Sequence, residues 1–451
     1  MKQFVRLGDV AQINPRFDKS SLADATAVSF VQMASVGAAD GKINVSITRP
    51  FAEVKKGSYT PFKDGDVLFA KVTPCMENGK MAIARGLMNG VGFGSSEFHV
   101  LRPSDKVDAK YLYHFVSSQT FRKEAAGHMT GAVGLRRVPA AFLADAQLPL
   151  VDLEEQRRIV AEIETQFSRL DEAVTNLQRV KANLKRYKAS VLKSAVEGRL
   201  VETEASIAQR EGRSYETGEQ LLQRILEERR KNWTGKGKYK EPIPIDTDSV
   251  GTTPEGWSWA AVEMVCESIV DCPHSTAKFQ LNGYPCVDTT WMTTDGLVVD
   301  RARYVDEATY LDRILRLIPK SGDIVFAREG TIGTAVLIPD RMTPCLGQRV
   351  MLLRTLPEYL NGLLVHVLHS EVVKSQYLAQ ALGSTVAHIN VGDVKRFAIP
   401  VPPLAEQLRV LTEVDCRLSI IREIESEVDA SLLRAQALRQ ATLSKAFGTG
   451  Q

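Results

Sequence analysis

Cysteine is scarce in this chain, with six in 451 residues: Cys75, Cys266, Cys272, Cys286, Cys345 and Cys416. No Cys-x-x-Cys occurs, so the usual zinc and redox spacings are missing. Sparse, scattered thiols point to a reducing, cytoplasmic compartment. No run of 18 apolar residues occurs either, which excludes an ordinary membrane-spanning helix. No apolar stretch follows Met1 and Lys2, so no secretory leader is expected. An excess of one charge is also missing: Lys and Arg number 57 against 54 Asp and Glu, a net charge of +3. The whole chain is therefore not a polycation, and any nucleic-acid binding must use local basic surfaces or help from partners. With 44% hydrophobic and 25% charged residues, a largely disordered or fibrous chain is excluded.

Catalytic signatures are thin as well. The chain has no Gly-x-x-x-x-Gly-Lys-Ser/Thr phosphate loop, no glycine-rich dinucleotide fingerprint and no Asn-Pro-Pro-Tyr-like methyltransferase motif. Glu53-Val54-Lys55 is half of a nuclease-like pattern that arises often by chance. His366 and His369 share a helix face, and Cys272, His274 and Cys286 lie within reach in sequence, but no second ligand pair at zinc spacing accompanies them. These read as ordinary surface or core residues, with no catalytic site and no metal site expected.

What is present is a repeat. Pro149, Leu153, Glu155, Gln156 and Arg158 recur 251 residues later as Pro400, Leu404, Glu406, Gln407 and Arg409. Upstream, Gly65-Asp66-Val67-Leu68-Phe69-Ala70-Lys71 resembles Gly322-Asp323-Ile324-Val325-Phe326-Ala327-Arg328, in the same order. Gly-Asp followed by an apolar β-branched and aromatic run predicts a turn into a buried strand.

A long helix follows each Glu-Gln. Val160, Ile163, Phe167, Leu170, Val174, Leu177, Leu184 and Val191 keep a 3,4 spacing, with Lys181 and Lys188 in the same frame. The second copy has Leu411, Val414, Leu418, Ile421, Val428 and Leu432, broken by Glu425, Arg439 and Thr442. Asp152 with Glu155 reads as a helix cap, Pro403 as a first-turn proline, and Gly198 and Gly448 as stops. Each helix should run ~45 residues, or ~65–70 Å, too long to bury its seam on one small domain. Pairing the two helices is the economical answer. A parallel pair would stack Lys188 on Arg439, whereas an antiparallel pair sets Glu425 near Lys181 and Lys188 near Leu418, so antiparallel is favoured.

The fold expected is α+β: two similar mixed α/β domains separated by a long antiparallel two-helix coiled coil, a pseudo-two-fold internal repeat. The expected divisions are a first domain at 1–150, the first long helix at 151–198, and a charged helical and basic linker at 199–256. A second domain at 257–401 and the second long helix at 402–448 complete the chain. Within the linker, Arg229 to Lys240 has six basic residues and no acid. It fits equally a basic arm near nucleic acid, with Trp233 and Tyr239 stacking, and a solvated connector.

The duplicated Pro-x-x-x-Leu-x-Glu-Gln with its long helix, the repeated Gly-Asp strand and the Gly-Lys-Gly-Lys-Tyr-Lys linker together resemble a type I restriction–modification specificity subunit. The likeness covers nearly the whole chain, although Pro402-Pro403 replaces Val151-Asp152 in the second copy. The resemblance implies two target recognition domains, each reading one half of an asymmetric bipartite sequence in double-stranded DNA. It implies paired helices that set the spacing and dock two methyltransferase subunits, to which restriction subunits add. It implies S-adenosylmethionine on the methyltransferase partner and no cofactor on this chain. The competing class is a coiled-coil protein scaffold without sequence preference.

Base reading needs Arg, Lys, Asn, Gln, Ser or Thr on loops held by a rigid sheet. In the first domain Lys71, Thr73, Asn78, Lys80, Ser95, Ser96, Arg136 and Arg137 meet this description; in the second, Arg328, Thr331, Gln348, Arg349, Ser384, Thr385, His388 and Asn390. Arg136, Arg137, Gln348 and Arg349 are the strongest candidates.

Overall fold

The computed structural model describes residues 3–132, 134–234, 237–245, 250–381 and 388–448. The chain divides into two units: Met1–Arg179 with Val428–Gln451, and Val180–Glu427. Both cuts fall inside long helices, so each unit holds a mixed domain together with part of each helix.

The domain of unit 1 has an inner antiparallel sheet in the order β2 (Ala11–Ile13), β9 (Phe98–Pro103), β6 (Val67–Ala70), β7 (Met81–Ile83). An outer sheet runs β4 (Thr48–Pro50), β3 (Ala27–Val31), β8 (Val91–Gly94), β5 (Thr60–Lys63), with β3 and β8 parallel. β1 (Gln3–Arg6) pairs with β12 (Gln147–Leu150) and closes the domain. β10 (Thr130–Ala132) and β11 (Leu135–Arg137) make a separate ribbon. Helices α1 (Leu7–Val10), α2 (Phe51–Val54), α3 (Ala109–Ser117), α4 (Gln119–Gly127) and α5 (Ala140–Asp145) link these strands, and α6 (Leu153–Val196) follows.

In unit 2, α7 (Glu204–Glu211) and α8 (Gly218–Lys231) precede the domain. Its inner sheet repeats the first one: β14 (Cys266–Asp271), β22 (Val350–Thr355), β19 (Ile324–Ala327), β20 (Ala335–Leu337). β13 (Ser258–Ala261) pairs with β23 (Ala398–Val401) as β1 does with β12. The outer sheet is reduced to β18 (Tyr304–Val305), β15 (Tyr284–Val287) and β21 (Cys345–Leu346), beside a short ribbon of β16 (Met292–Thr293) and β17 (Gly296–Leu297). Helices α9 (Val262–Val265), α10 (Glu307–Arg313), α11 (Asn361–Leu368), α12 (Glu371–Ala381) and α13 (Val391–Lys395) complete it, and α14 (Leu404–Phe447) is the second long helix.

The repeated letters are the frame of each unit. β6 and β19 are central strands, buried on both faces. Val67 and Phe69 enter one core and Leu68 and Ala70 another, as Ile324 and Phe326 part from Val325 and Ala327. A side chain of this kind contributes ~1.5–3 kcal/mol on full burial, which is why the run carries no polar residue. The glycine before each strand has positive φ, +90° at Gly65 and +84° at Gly322, a conformation that favours glycine. The aspartate that follows is a buried anchor. Asp66 accepts two hydrogen bonds from Arg102 at 2.8 and 2.7 Å and one from the Lys63 N–H at 2.8 Å. Asp323 does the same with Arg354 and the Lys320 N–H.

The repeated glutamine is a clamp. Gln156 is fully buried; it accepts the Asp108 N–H and donates to the Lys106 and Val151 carbonyls. Gln407 accepts the Leu360 N–H and donates to the Glu358 and Pro402 carbonyls. Nearby, Tyr111 and Tyr359 each donate a hydroxyl proton to the carbonyl of the repeated proline, Pro149 or Pro400. These bonds tie the first turn of each long helix to its own domain.

The two long helices, 44 residues each, pair in opposite directions. In unit 1 the start of α6 meets the end of α14: Arg439 lies 4.0 Å over the Phe167 ring and bonds Asp171 at 2.7 Å. In unit 2 the end of α6 meets the start of α14, with Leu184 and Val191 in one core with Val414, Leu418 and Ile421. Lys188 and Leu418 line one cavity there. The seam differs from the sequence expectation in two ways. Val160, Ile163 and Phe167 join the core of their own domain, with Leu112 and Phe115, as well as facing α14. Near the end of α14 the deeply buried residues are Leu443 and Phe447, the first of them one position beyond Thr442 of the expected frame. A straight helix drifts ~20° per heptad against a 3.5-residue frame, so over the four to five heptads from Leu411 the buried line moves by about one residue. Leu170, Val174, Leu177, Leu411 and Leu432 are half-buried and Val428 is buried.

Candidate nucleic-acid interface

The polar loops of unit 1 converge where the ends of β6, β11 and the β8–β9 loop meet. The Lys71 N–H bonds the Glu97 carbonyl at 2.9 Å, and the Val138 N–H bonds the Lys71 carbonyl at 2.8 Å. Thr73 locks to Arg136 by two bonds, its N–H to the Arg136 carbonyl at 3.0 Å and its hydroxyl accepting the Arg136 N–H at 3.1 Å. Arg137 sits at the root of the β10–β11 ribbon, bridged to Val72. Its guanidinium grips Glu97 with both nitrogens of one edge, Nε to Oε2 at 2.8 Å and Nη2 to Oε1 at 2.7 Å. These bonds from Arg137, with the charges of Arg137 and Lys71 adding, hold the Glu97 carboxyl below the usual carboxylate range, against a smaller opposing effect of burial. Arg136 is exposed and lies 3.7 Å from Glu77.

Unit 2 builds the same corner from different side chains. The Arg328 N–H bonds the Arg349 carbonyl at 2.8 Å and the Ile389 N–H bonds the Arg328 carbonyl at 3.1 Å. Glu329 bridges His388. Position by position, Arg328 therefore matches Lys71, Arg349 matches Glu97, Glu329 matches Val72 and His388 matches Arg137. Here the carboxylate belongs to Glu329, 2.8 Å from His388 Nδ1 and 3.5 Å from Arg349 Nε. Arg349 has φ +69° and keeps 59% of its side chain exposed.

Other candidates turn inward. Arg328 is buried; it bonds Asp271 at 2.5 Å and the Ile389 carbonyl at 3.2 Å. It therefore pins the corner and is not free to reach a phosphate or base. Gln348 ties its loop to the segment after β14, donating to the His274 carbonyl and accepting from Thr276. Lys80 donates to the Met33 carbonyl, and Ser95 accepts the Glu97 N–H. Asn78, Ser96, Thr331 and Asn390 are exposed, the last donating to Asp393. Ser384 and Thr385 lie outside the described residues. Sequence reasoning missed Glu97, Glu329 and Asp271, the acids that hold these cations. Glu97 directly follows Ser95-Ser96, but its meeting with Arg137 depends on chain crossings that no local pattern signals.

The linker is more structured than a free arm. Arg229 donates to the carbonyls of Glu263, Met264 and Cys266, and Arg230 pairs with Glu241. Trp233 and Tyr239 pack edge to face at 5.7 Å; Gly235 and Lys236 lie outside the described residues. His366 bonds Asp415 at 2.8 Å, and His369 accepts the Ala335 N–H at 3.0 Å. Among the described residues no group of three or more His, Cys, Asp or Glu is placed to hold a metal ion. No helix among them is long and apolar enough to cross a membrane.

The sequence model of the type I restriction modification DNA specificity domain matches residues 2–185 and 290–430. The chain belongs to that family. It is 27% identical to the type I restriction enzyme EcoAI specificity subunit of Escherichia coli, over 92% of this chain and 77% of the relative. It is 24% identical to the EcoEI specificity subunit of the same organism, over 98% and 82%. Among solved structures, a chain from work on complex assembly and conformational transition of the type I R-M system superposes with a TM-score of 0.67 at 22% identity, covering 99% of this chain and 97% of that one. The HsdS subunit from Thermoanaerobacter tengcongensis gives 0.50 at 22% identity, over 99% and 96%. These structures share the fold. The specificity family supplies recognition to its systems and not catalysis, and the chain is accordingly a non-catalytic specificity subunit.

Proposed function

We propose that each unit reads one half of an asymmetric, split sequence in double-stranded DNA, and that the paired long helices fix the spacing between the halves. The observation that supports this most is the shared corner. The inner-sheet order and its anchors, Asp66–Arg102 with Asp323–Arg354 and Gln156 with Gln407, recur, while the side chains presented at the rim change identity and charge. Two readers on one scaffold type need this combination, since a common frame gives common geometry and different rim groups choose different bases. Two methyltransferase subunits are the partners that dock on the helices, carrying S-adenosylmethionine, with restriction subunits joining them; this chain holds no cofactor. The compartment is the cytoplasm, where such DNA is met.

Selection from a library of duplexes with two randomised half-sites and variable spacers, using the chain with its methyltransferase subunits, tests the reading. One split motif with one spacer length is expected. Enrichment of no sequence, or of an unsplit one, would refute it.

A further inference from the structure

The Arg137–Glu97 pair at the rim of unit 1 is built like a reading head. Arginine has five N–H donors in a planar fork. Glu97 takes two of them along the Nε edge, which leaves the two Nη1 protons and the outer Nη2 proton pointing away from the carboxylate. That remaining edge has the spacing that fits the O6 and N7 acceptors of a guanine in the major groove. Both partners are anchored by backbone: Glu97 through its carbonyl to the Lys71 N–H and its N–H to the Ser95 hydroxyl at 3.2 Å, Arg137 through the Val72 bridge and the Arg136–Thr73 lock. The Arg137 side chain keeps 41% of its surface exposed.

An exposed ion pair contributes little stability, so holding an arginine this firmly at a surface is better explained by orientation. The carboxylate also decides the kind of target. A negative group on one edge repels a phosphate more than a base edge, whose acceptors carry only partial charge. In unit 2 the matching positions carry Arg349 and His388 around a carboxylate from a third place, Glu329, so the device is not a shared structural brace like Asp66–Arg102.

We propose that Arg137, oriented by Glu97, reads one guanine in the half-site of unit 1, with Glu97 as a positioning residue. This rests on the DNA-reading function above.

The test uses the full chain with its methyltransferase subunits and the same randomised duplex library, at two salt concentrations. Arg137→Lys removes the fork and should lower the preference for guanine at one position roughly tenfold or more. Glu97→Gln, nearly the same shape, should weaken the same position by less. The other half-site and the slope of affinity against salt should stay as in the parent. No change at any position overturns the proposal. So does a uniform loss of affinity with a shallower salt slope, the mark of a phosphate contact, or a loss spread over every position of the half-site, the mark of a damaged unit. A parent complex that selects no split motif overturns the DNA reading itself, and this proposal with it.

Discussion

Glu155 and Glu406 hold the same place in the repeat, two residues into each long helix, and their surroundings differ. Glu155 grips Arg158 one turn on, at 2.6 and 2.7 Å, on the surface. Glu406 is fully buried, accepting the Glu204 N–H at 2.8 Å and the Trp257 indole N–H at 3.0 Å. Burial raises its pKa, and the two donors pull the other way. The cause is the segment between first helix and second domain, for which the described residues of unit 1 show no counterpart. Its helix α7 covers the start of α14, and Glu204 takes Arg409 at 2.7 Å, where unit 1 leaves Arg158 to Glu155. A repeated letter marks a repeated backbone position; what surrounds it is set by whatever else packs there. Gln156 and Gln407, whose partners are all backbone, keep identical roles.

The comparison can be broken most sharply at the shared anchor. Asp323→Ala and Asp66→Ala each strand a partly buried arginine, a loss of ~3–5 kcal/mol when such a pair is broken. The unit 2 loss should be the larger, because Arg354 is 11% exposed and Arg102 29%. All four tryptophans, Trp233, Trp257, Trp259 and Trp291, lie in unit 2. Their fluorescence therefore follows that unit in urea while hydrogen exchange follows both. Equal losses would mean that the two anchors are equivalent.

Next comes Glu406→Ala, which leaves two buried donors unpaired at ~1–3 kcal/mol each. Glu155→Ala should leave the thermal melt unmoved. If both variants lose the same stability, α7 does not make the difference.

Arg349→Ala should relax base choice in one half-site only, by ~1–3 kcal/mol of discrimination, read by the same duplex selection. Unchanged preferences at every position would remove Arg349 from the interface.

Acid should weaken each unit through a buried histidine. Burial lowers the pKa of His114 to about 4 and of His369 to about 4. The unfolded chain, with histidine near 6.5, then binds more protons between these values. Stability is therefore whole above pH ~6.5 and falls as pH drops towards 4, by at most about 1.4 kcal/mol per pH unit for each histidine. Replacing His369 by Gln should flatten the tryptophan-detected urea midpoint across this window. A slope that persists unchanged would assign the acid sensitivity to other groups.

The chain's own letters determined the repeat, the central strands, the two long helices and their opposed direction. The strands and helices depend on local periodicity and turn chemistry, and the repeat and the opposed direction on comparing two segments 251 residues apart and on like-charge repulsion along their seam. Tertiary structure decided which polar residues face outward. Arg328 and Gln348 look like readers in sequence and are consumed by Asp271, His274 and Thr276. Glu97 looks like a loop residue and becomes the holder of Arg137, 40 positions away. Whether a cation is free depends on which acid the fold brings within 3 Å of it, and that distance is set by chain crossings, not by sequence neighbours.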